Sequence, residues 1–302
     1  CKIMAKLYKG NKVGIASPSG FIVSEQNIET AISYIESLGY VPIVGKNVYK
    51  KWRYMAGTIN ERVKDLMDFY KDPDIKAIFT TVGAGGSQYL LDKLDYNLIQ
   101  ANPKPLIGFS DTTAIQNAIY TKTGIVNFTG FTMHYDFRNG AIDELIDKSL
   151  QDLLKGKSFI AKGGKTVHRG IAEGKLVGGC LSVLRNLCGT EYYPDLTDSI
   201  LLLEDVGERT YRTDLMLLQL RQNPTFKNVR GIIFGEFSDS EIRMAEDGNI
   251  DSIIYEFCKD LNIPIIKNFP YSHEDRRYVL PLGANVKLDA TKHTLKIYAD
   301  ED

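Results

Sequence analysis

The chain has 302 residues, of which 43% are hydrophobic and 25% charged, and its formal net charge is −1. This composition is typical of a globular protein with one large or two medium-sized domains, and the near-neutral charge does not favour nucleic acid or an anionic membrane as a partner. No apolar run approaches the roughly 18 residues of a membrane span, and no secretory signal pattern is present, so we expect a cytoplasmic protein.

The first half of the chain alternates short apolar runs with segments of helical periodicity. Ile28, Ala31, Ile32 and Ile35, for example, form one apolar stripe that ends before Gly39. Strands are predicted at 12–17, 41–44, 75–81, 106–109 and 125–128, and helices at 24–38, 60–70, around 89–91, from 111 onward and at 141–154. This alternation indicates a parallel sheet with helices on both faces.

The second half mixes strands and helices after a polar, glycine-containing segment at 156–174, which we interpret as a link between domains. Strands are predicted at 200–203, 231–234, 263–266 and 295–298, and helices at 181–187, 214–221 and 250–259. The predicted organisation is an N-terminal α/β domain at 1–160 and a C-terminal β/α domain at 170–302.

The four cysteines, Cys1, Cys180, Cys188 and Cys258, show neither paired metal-ligand spacing nor a disulfide framework. Cys180 and Cys188 lie in an apolar segment and are expected to be buried thiols. A lipid anchor on Cys1 is not expected, because a predicted strand follows it with almost no tether. We expect neither a metal nor another cofactor.

Ser110 lies where the predicted strand 106–109 meets the following helix. Asp111, Thr112 and Thr113 are residue types that accept hydrogen bonds from the free N–H groups of a first helical turn. A serine at a sharp strand-to-helix turn exposes its hydroxyl beside N–H groups that can hold an oxyanion. Because the full G-x-S-x-G pattern is missing, a simple helix cap is an alternative interpretation.

The segment Gly83-Ala-Gly-Gly86 follows the third predicted strand, as a phosphate-binding loop would. It lacks both the G-x-G-x-x-G register and the Gly-Lys-Ser/Thr of a P-loop, which argues against a nucleotide-binding motif. Two interpretations stay open. Either the backbone N–H groups of this loop approach an anionic intermediate, or the glycines serve a tight turn.

A base for Ser110 can come from one of four histidines. His273 lies in an irregular loop just after a predicted strand, where α/β proteins place their chemistry, and it is favoured modestly over His134 in an aromatic loop. Glu204 and Asp205 end the strand that starts at 200. A carboxylate that loses its hydration there favours a partner such as a histidine N–H, although an ordinary strand-end acid is the alternative.

The whole chain resembles the serine LD-carboxypeptidases, a family that also contains the microcin C immunity peptidases. The matching pieces occur in order along the chain: Gly57-Thr58, Gly83–Gly86 with Leu90-Leu91, Asn102-Pro103, Ile107–Asp111, Gly178-Gly179, Cys188–Thr190, Leu203–Asp205, Gly231–Gly235, and His273 before Leu280–Gly283.

This resemblance implies a flavodoxin-like parallel-sheet N-terminal domain, a smaller mixed β/α C-terminal domain, an active site between them and a homodimer. It also implies a catalytic triad of Ser110, Glu204 and His273, with the acid and the base supplied by the C-terminal domain.

An oxyanion hole is also implied by the resemblance. It would consist of backbone N–H groups from Gly83, Ala84 and Asp111.

Several positions depart from the family pattern. Val82 stands where an arginine usually precedes the glycine pair, and Ala84 replaces one of those glycines. Cys180 stands in place of a frequent asparagine, Leu215 in place of an arginine and Ser272 in place of a glycine. Since arginine and asparagine are groups that hold a carboxylate or an amide, these departures leave the substrate open.

The predicted function is a serine carboxypeptidase that works through an acyl-enzyme. The substrate is a murein tetrapeptide with a terminal D-residue or a peptidyl or aminoacyl nucleotide of the microcin C type. Trp52, Gly85, Gly86 and Tyr135 are the candidate substrate contacts, and core packing is the alternative for the aromatic residues. The alternative function is that of a non-catalytic, two-domain protein that binds a small ligand.

Overall fold

The computed structural model describes residues 6–298, which form two β-sheets flanked by helices. The strands are β1 (Lys12–Ala16), β2 (Val41–Val44), β3 (Ile75–Thr80), β4 (Leu106–Gly108), β5 (Asn127–Thr129), β6 (Phe159–Lys162), β7 (Lys165–His168), β8 (Ile171–Cys180), β9 (Ser199–Val206), β10 (Gly231–Ser238), β11 (Ile265–Phe269), β12 (Leu280–Leu282), β13 (Asn285–Asp289) and β14 (Thr294–Ile297).

The α-helices are α1 (Glu25–Ser37), α2 (Ile59–Lys71), α3 (Tyr96–Ala101), α4 (Thr113–Thr123), α5 (Met133–Asp136), α6 (Glu144–Leu154), α7 (Leu181–Asn186), α8 (Thr210–Arg221) and α9 (Ile250–Cys258). Short 3₁₀ helices occupy Ser87–Lys93, Ser110–Thr112, Phe226–Asn228 and Ala245–Asp247. Within the described residues, no helix is both long enough and apolar enough to cross a membrane.

The first sheet has the strand order β12–β5–β4–β3–β1–β2. Its five strands from the N-terminal half are parallel, and β12 adds to the edge in the antiparallel direction. Helix α1 covers this sheet with the predicted stripe, in which Ile28, Ala31 and Ile35 are buried, and Ser24 caps its first turn. The predicted flavodoxin-like α/β class is confirmed.

The second sheet has the strand order β6–β14–β13–β8–β9–β10–β11–β7. The central strands β8, β9, β10 and β11 are parallel, and the outer pairs are antiparallel. Its buried centre includes Ile200, Leu201, Leu202 and Leu203, so both faces of β9 are covered, as expected for parallel strands.

The prediction for one segment of the sequence is wrong, and one helix was not predicted. The segment 156–174, interpreted as a polar link, contains β6, β7 and the start of β8, and β6 and β7 are the two edges of the second sheet. Edge strands carry charged residues because one side stays open to solvent, so they resemble a link in composition. Helix α3, which Asp95 caps by accepting the N–H of Leu98, is not among the predicted helices.

The chain passes from the second sheet back to the first near its C-terminal end. After β11 it runs through residues 270–279 and then forms β12 against β5. Tyr271 in this crossing segment shares a 2.6 Å hydrogen bond with Thr129 of the first sheet. The loop that carries His273 is therefore anchored in both sheets, at the edge where their parallel strands end.

Cys180 and Cys258 are buried, Cys188 is partly buried, and all three are free thiols. Cys1 lies outside the described residues.

Candidate active site

Ser110 occupies a sharp turn between β4 and α4. Its φ is +63°, a left-handed conformation that non-glycine residues adopt at a cost of about 1–3 kcal/mol, often at functional sites. Gly108 makes the turn possible, because a Cβ atom there would lie 2.4 Å from Thr112 Oγ1. The backbone thus holds the Ser110 hydroxyl above the end of the strand, as the sequence predicted for a strand-to-helix joint.

The loop after β3 lies directly beside this turn. A Cβ atom on Gly83 would come within 3.2 Å of the Ser110 Cβ, so the Gly83 backbone approaches the serine closely. Within residues 6–298, the backbone N–H groups of Gly83 and Ala84 have no hydrogen-bond acceptor. Ala84 has a φ of +66°. This loop can therefore offer free N–H groups to a negatively charged oxygen next to Ser110.

His273 connects Ser110 with Glu204 in one hydrogen-bonded chain. Its Nε2 lies 3.0 Å from Ser110 Oγ, and its Nδ1 lies 2.6 Å from Glu204 Oε2. Neutral imidazole has one donor and one acceptor nitrogen. With the proton on Nδ1, His273 donates to the carboxylate and accepts the Ser110 hydroxyl proton, which is the arrangement that a general base requires.

Glu204 is fully buried, and Oε1, its second carboxylate oxygen, has no hydrogen-bond partner among the described residues. Burial raises the pKa of this carboxyl group, while the hydrogen bond and the charge of His273 act in the opposite direction. An imidazolium at His273 is therefore the cation that would compensate the buried charge.

Asp205 points to the other face of β9. Its carboxylate accepts hydrogen bonds from the backbone N–H and the hydroxyl of Ser182, at 2.8 and 3.1 Å. It also accepts the backbone N–H of Val206 at 3.0 Å. It therefore holds the first turn of α7 and takes no part in the His273 chain. Successive side chains of a strand alternate between faces, and here only Glu204 faces Ser110.

A buried ion pair between Arg277 and Asp136 stabilises the loop that carries His273. Arg277 donates to the Gly130 and Glu274 carbonyls at 2.8 and 3.0 Å and pairs with Asp136 of α5. Its guanidinium also lies over the Phe109 ring at 4.5 Å, and that ring contacts the His273 ring at a centroid distance of 4.7 Å. Arg277 thus connects the His273 loop with Phe109, with the segment after β5 and with α5.

Replacing Arg277 by methionine is expected to lower the free energy of unfolding by about 3–5 kcal/mol, because it leaves the Asp136 carboxylate buried without its cation. The double variant Asp136→Asn with Arg277→Met should lose less than the sum of the two single changes. Urea denaturation of the four proteins measures this coupling.

The matched control is Arg230→Met, which removes an exposed pair with Asp198 and should change the free energy of unfolding by less than about 1 kcal/mol. Additive single changes at Asp136 and Arg277 would contradict the proposed coupling.

A pocket of about 160 Å³ opens beside Ser110. It is mainly apolar, and its lining residues are Val82, Gly83, Ala84, Phe109, Ser110, Thr132, His134, Tyr135 and His273. The Tyr135 hydroxyl donates to the His273 carbonyl at 2.8 Å, which fixes this side of the pocket.

The structure brings some of the predicted substrate contacts to the pocket and leaves others outside it. Tyr135 lines the pocket, whereas Gly85 and Gly86 are not among its lining residues. Trp52 is 38% exposed on a neighbouring turn, with the Arg53 guanidinium 5.5 Å from its ring centroid. Tyr54 of the same turn lies against Gly85, so this turn borders the glycine loop without reaching Ser110.

Phe109, Arg277, Asp136 and Thr132 surround the site but were not identified from the sequence. Thr132 had one available signal, since it follows β5 at the same edge of the sheet as Ser110. Arg277 and Asp136 are 141 residues apart, and no local pattern links them. No group of three or more His, Cys, Asp or Glu side chains in the described part of the chain is arranged to hold a metal ion.

Comparison with protein families places two matches along the chain. The sequence profile of the LD-carboxypeptidase N-terminal domain matches residues 13–130, and that of the C-terminal domain matches residues 173–288. The first match includes Ser110, and the second includes Glu204 and His273.

Curated relatives match over nearly the full length. The chain is 31% identical to a putative carboxypeptidase from Synechocystis, over 96% of this chain and 95% of that protein. It is 28% identical to a probable murein peptide carboxypeptidase from Bacillus subtilis, over 97% of this chain and 93% of that protein. Among solved structures, the microcin C7 self-immunity protein in complex with aspartyl sulfamoyl adenosine aligns with a TM-score of 0.88 and 26% identity, covering 98% of both chains.

Proposed function

The chain belongs to the LD-carboxypeptidase family, and we propose that Ser110, His273 and Glu204 are the catalytic triad of this serine carboxypeptidase. The observation that carries the proposal is the continuous hydrogen-bonded chain from Ser110 Oγ through both nitrogens of His273 to the buried Glu204. The positive φ of Ser110 and the free N–H groups beside it support the same assignment.

In the proposed reaction, Ser110 Oγ attacks the carbonyl carbon of the scissile bond while His273 Nε2 takes the hydroxyl proton. The resulting oxyanion accepts hydrogen bonds from the backbone N–H groups of Gly83, Ala84 and Asp111. His273 then gives its proton to the leaving group as the acyl-enzyme ester forms. A water molecule, deprotonated by His273, attacks the ester, which releases the acid and restores Ser110.

Glu204 contributes by holding His273 with Nδ1 protonated and by stabilising the imidazolium. Because Ser110 follows a strand of the first sheet, Glu204 lies on a strand of the second and His273 lies in the loop between them, the relative position of the sheets decides whether the chain of hydrogen bonds forms. The His273 loop connects β11 of the second sheet with β12 of the first, and it thereby holds the imidazole between Ser110 and Glu204.

We propose a peptide with a small terminal D-residue, such as a murein tetrapeptide, as the substrate. Supporting observations are the small and mostly apolar pocket beside Ser110, which fits a short side chain, and the similarity to a probable murein peptide carboxypeptidase.

Incubation of the protein with a murein tetrapeptide is expected to release the terminal D-residue and leave a tripeptide, which mass spectrometry detects directly. A matched peptide that ends in the L-enantiomer of the same residue is the control and should be cleaved much more slowly. Equal cleavage of both peptides would contradict an LD-specific carboxypeptidase.

A second candidate substrate is a peptidyl or aminoacyl nucleotide of the microcin C type. It is supported by the similarity to the microcin C7 self-immunity protein and by the exposed Trp52 ring beside the glycine loop, where a base can stack. An aminoacyl adenylate analogue belongs in the same mass-spectrometric assay. Cleavage of the nucleotide without cleavage of the tetrapeptide would favour this second candidate.

The alternative of a non-catalytic binding protein predicts that Ser110 is inert. Labelling of Ser110 by a fluorophosphonate, located by peptide mass spectrometry, favours the enzyme, whereas an unlabelled serine favours the binding protein. The homodimer stays a prediction. The exposed Leu215 and Leu218, which lie on one face of α8, are consistent with a contact between two copies.

A further inference from the structure

Two side chains in the pocket, Thr132 and His134, have polar atoms that neither the triad nor the fold uses. Thr132 is only 3% exposed, and its Oγ1 has no hydrogen-bond partner among the described residues. His134, two residues later, also lines the pocket. A buried hydroxyl without a partner is unfavourable, and one that lines a pocket can gain a partner when a ligand enters.

The hydrogen bonds of His134 fix which ring nitrogen is available. Its Nε2 accepts the backbone N–H of Ser24 at 3.1 Å, so the neutral ring carries its proton on Nδ1. The backbone of His134 is also held, because its N–H donates to the Thr81 carbonyl and its carbonyl accepts from Asn27 Nδ2. Partial burial lowers the pKa of the imidazole, which favours the neutral form.

No lysine or arginine lines this pocket in the described structure. Val82 occupies the position before the glycine pair, and the two nearby buried arginines are already committed. Arg62 donates to the Pro18 and Gly86 carbonyls, and Arg277 pairs with Asp136. An anionic group that enters the pocket must therefore be bound by neutral donors.

A carboxypeptidase substrate supplies such an anionic group, namely the free carboxylate of the residue that leaves. We propose that the Thr132 hydroxyl and the His134 Nδ1–H bind this terminal carboxylate beside Ser110. The inference rests on the proposed carboxypeptidase function. In this proposal, the segment after β5 selects peptides that have a free C-terminus.

The test compares a tetrapeptide acid with the corresponding C-terminal amide, in the wild-type protein and in single variants. The wild-type protein should cleave the acid at least 10-fold faster in kcat/KM. Thr132→Val should lower kcat/KM for the acid on the order of 10- to 100-fold, mainly through KM, and should change cleavage of the amide much less. Because the lost hydroxyl is unpaired, the Tm of this variant should not fall.

Two substitutions separate the two nitrogens of His134. In His134→Asn the amide lies near the former Nδ1 position and retains a donor, whereas in His134→Gln it lies near Nε2 and retains only the contact with Ser24. The carboxylate proposal predicts that the asparagine variant keeps more of the preference for the acid. If the glutamine variant keeps more of the preference for the acid, or if both variants lose that preference equally, His134 has a structural role and the proposal is overturned.

Thr210→Val is the matched control, because Thr210 is 1% exposed with an equally unpartnered hydroxyl but lies at the start of α8, outside the pocket. It should leave the ratio between acid and amide unchanged. A wild-type protein that cleaves acid and amide equally refutes the carboxylate site while leaving the peptidase activity standing. A wild-type protein inactive on both peptides overturns the peptide substrate on which the carboxylate site depends.

Discussion

Replacement of Ser110 by alanine is expected to lower kcat/KM by on the order of 10⁴- to 10⁶-fold, because no other hydroxyl in the described structure is hydrogen-bonded to His273 Nε2. The fold should be retained. The side chain is small and only partly buried, and alanine experiences the same left-handed backbone strain as serine. Turnover of the tetrapeptide is the measurement, with circular dichroism to verify folding.

Glycine at the same position provides a second variant with a different signature. Ser110→Gly should be equally inactive, but it should be more stable than Ser110→Ala, because glycine adopts a φ of +63° without steric cost. Thermal unfolding compares the two variants. Near-normal activity in either folded variant would refute Ser110 as the nucleophile, and loss of fluorophosphonate labelling in both would support it.

Glu204→Gln is expected to lower kcat/KM by on the order of 10⁴-fold. The substitution keeps the shape of the side chain, but its amide can donate to His273 Nδ1 and thereby favour the tautomer whose proton lies on Nε2. That tautomer cannot accept the Ser110 proton. The buried site also loses the negative charge that stabilises the imidazolium. The rate on the tetrapeptide, measured with folding verified, gives the effect.

Asp205→Asn is the control next to it on the same strand. Asp205 holds the start of α7 through Ser182, so its replacement should lower the free energy of unfolding by about 1–3 kcal/mol while leaving kcat/KM within a few-fold of wild type. A crippled Asp205→Asn together with an active Glu204→Gln would reverse the roles of the two carboxylates.

The two adjacent acids also illustrate how far the sequence leads. From the residues alone, either carboxylate could have faced His273, and the family resemblance selected Glu204. The structure places the Glu204 side chain on the face where it meets His273, at 2.6 Å from Nδ1. Alternation along a strand guaranteed that only one of them would face the histidine, but not which one.

Local signals were sufficient for most of the fold. The apolar stripe of α1 and the short buried runs of β3 and β4 depend on neighbours a few positions away, so the sequence by itself determined the parallel α/β class and the turn at Ser110. The edge strands β6 and β7 were missed for the same reason. Their composition is polar because they lie at the solvent-exposed edges of the second sheet, and local sequence does not reveal that position. The predicted caps after Ser110 are wrong, because no side chain caps α4, and the Asp111 carboxylate instead accepts the N–H of Ser87 at 2.9 Å.

Only the tertiary structure decided what surrounds the serine. Ser110 and His273 are 163 residues apart, His134 and Ser24 are 110 apart, and Arg277 meets Asp136 across 141 residues. The contacts of His273 and Arg277 exist because the chain returns from the second sheet to the first through the loop before β12. Hydrophobic periodicity depends on neighbours within a few turns of the chain, whereas the geometry of a catalytic site depends on where distant strand ends meet. A sequence can therefore indicate the reacting residues, but only packing fixes their partners.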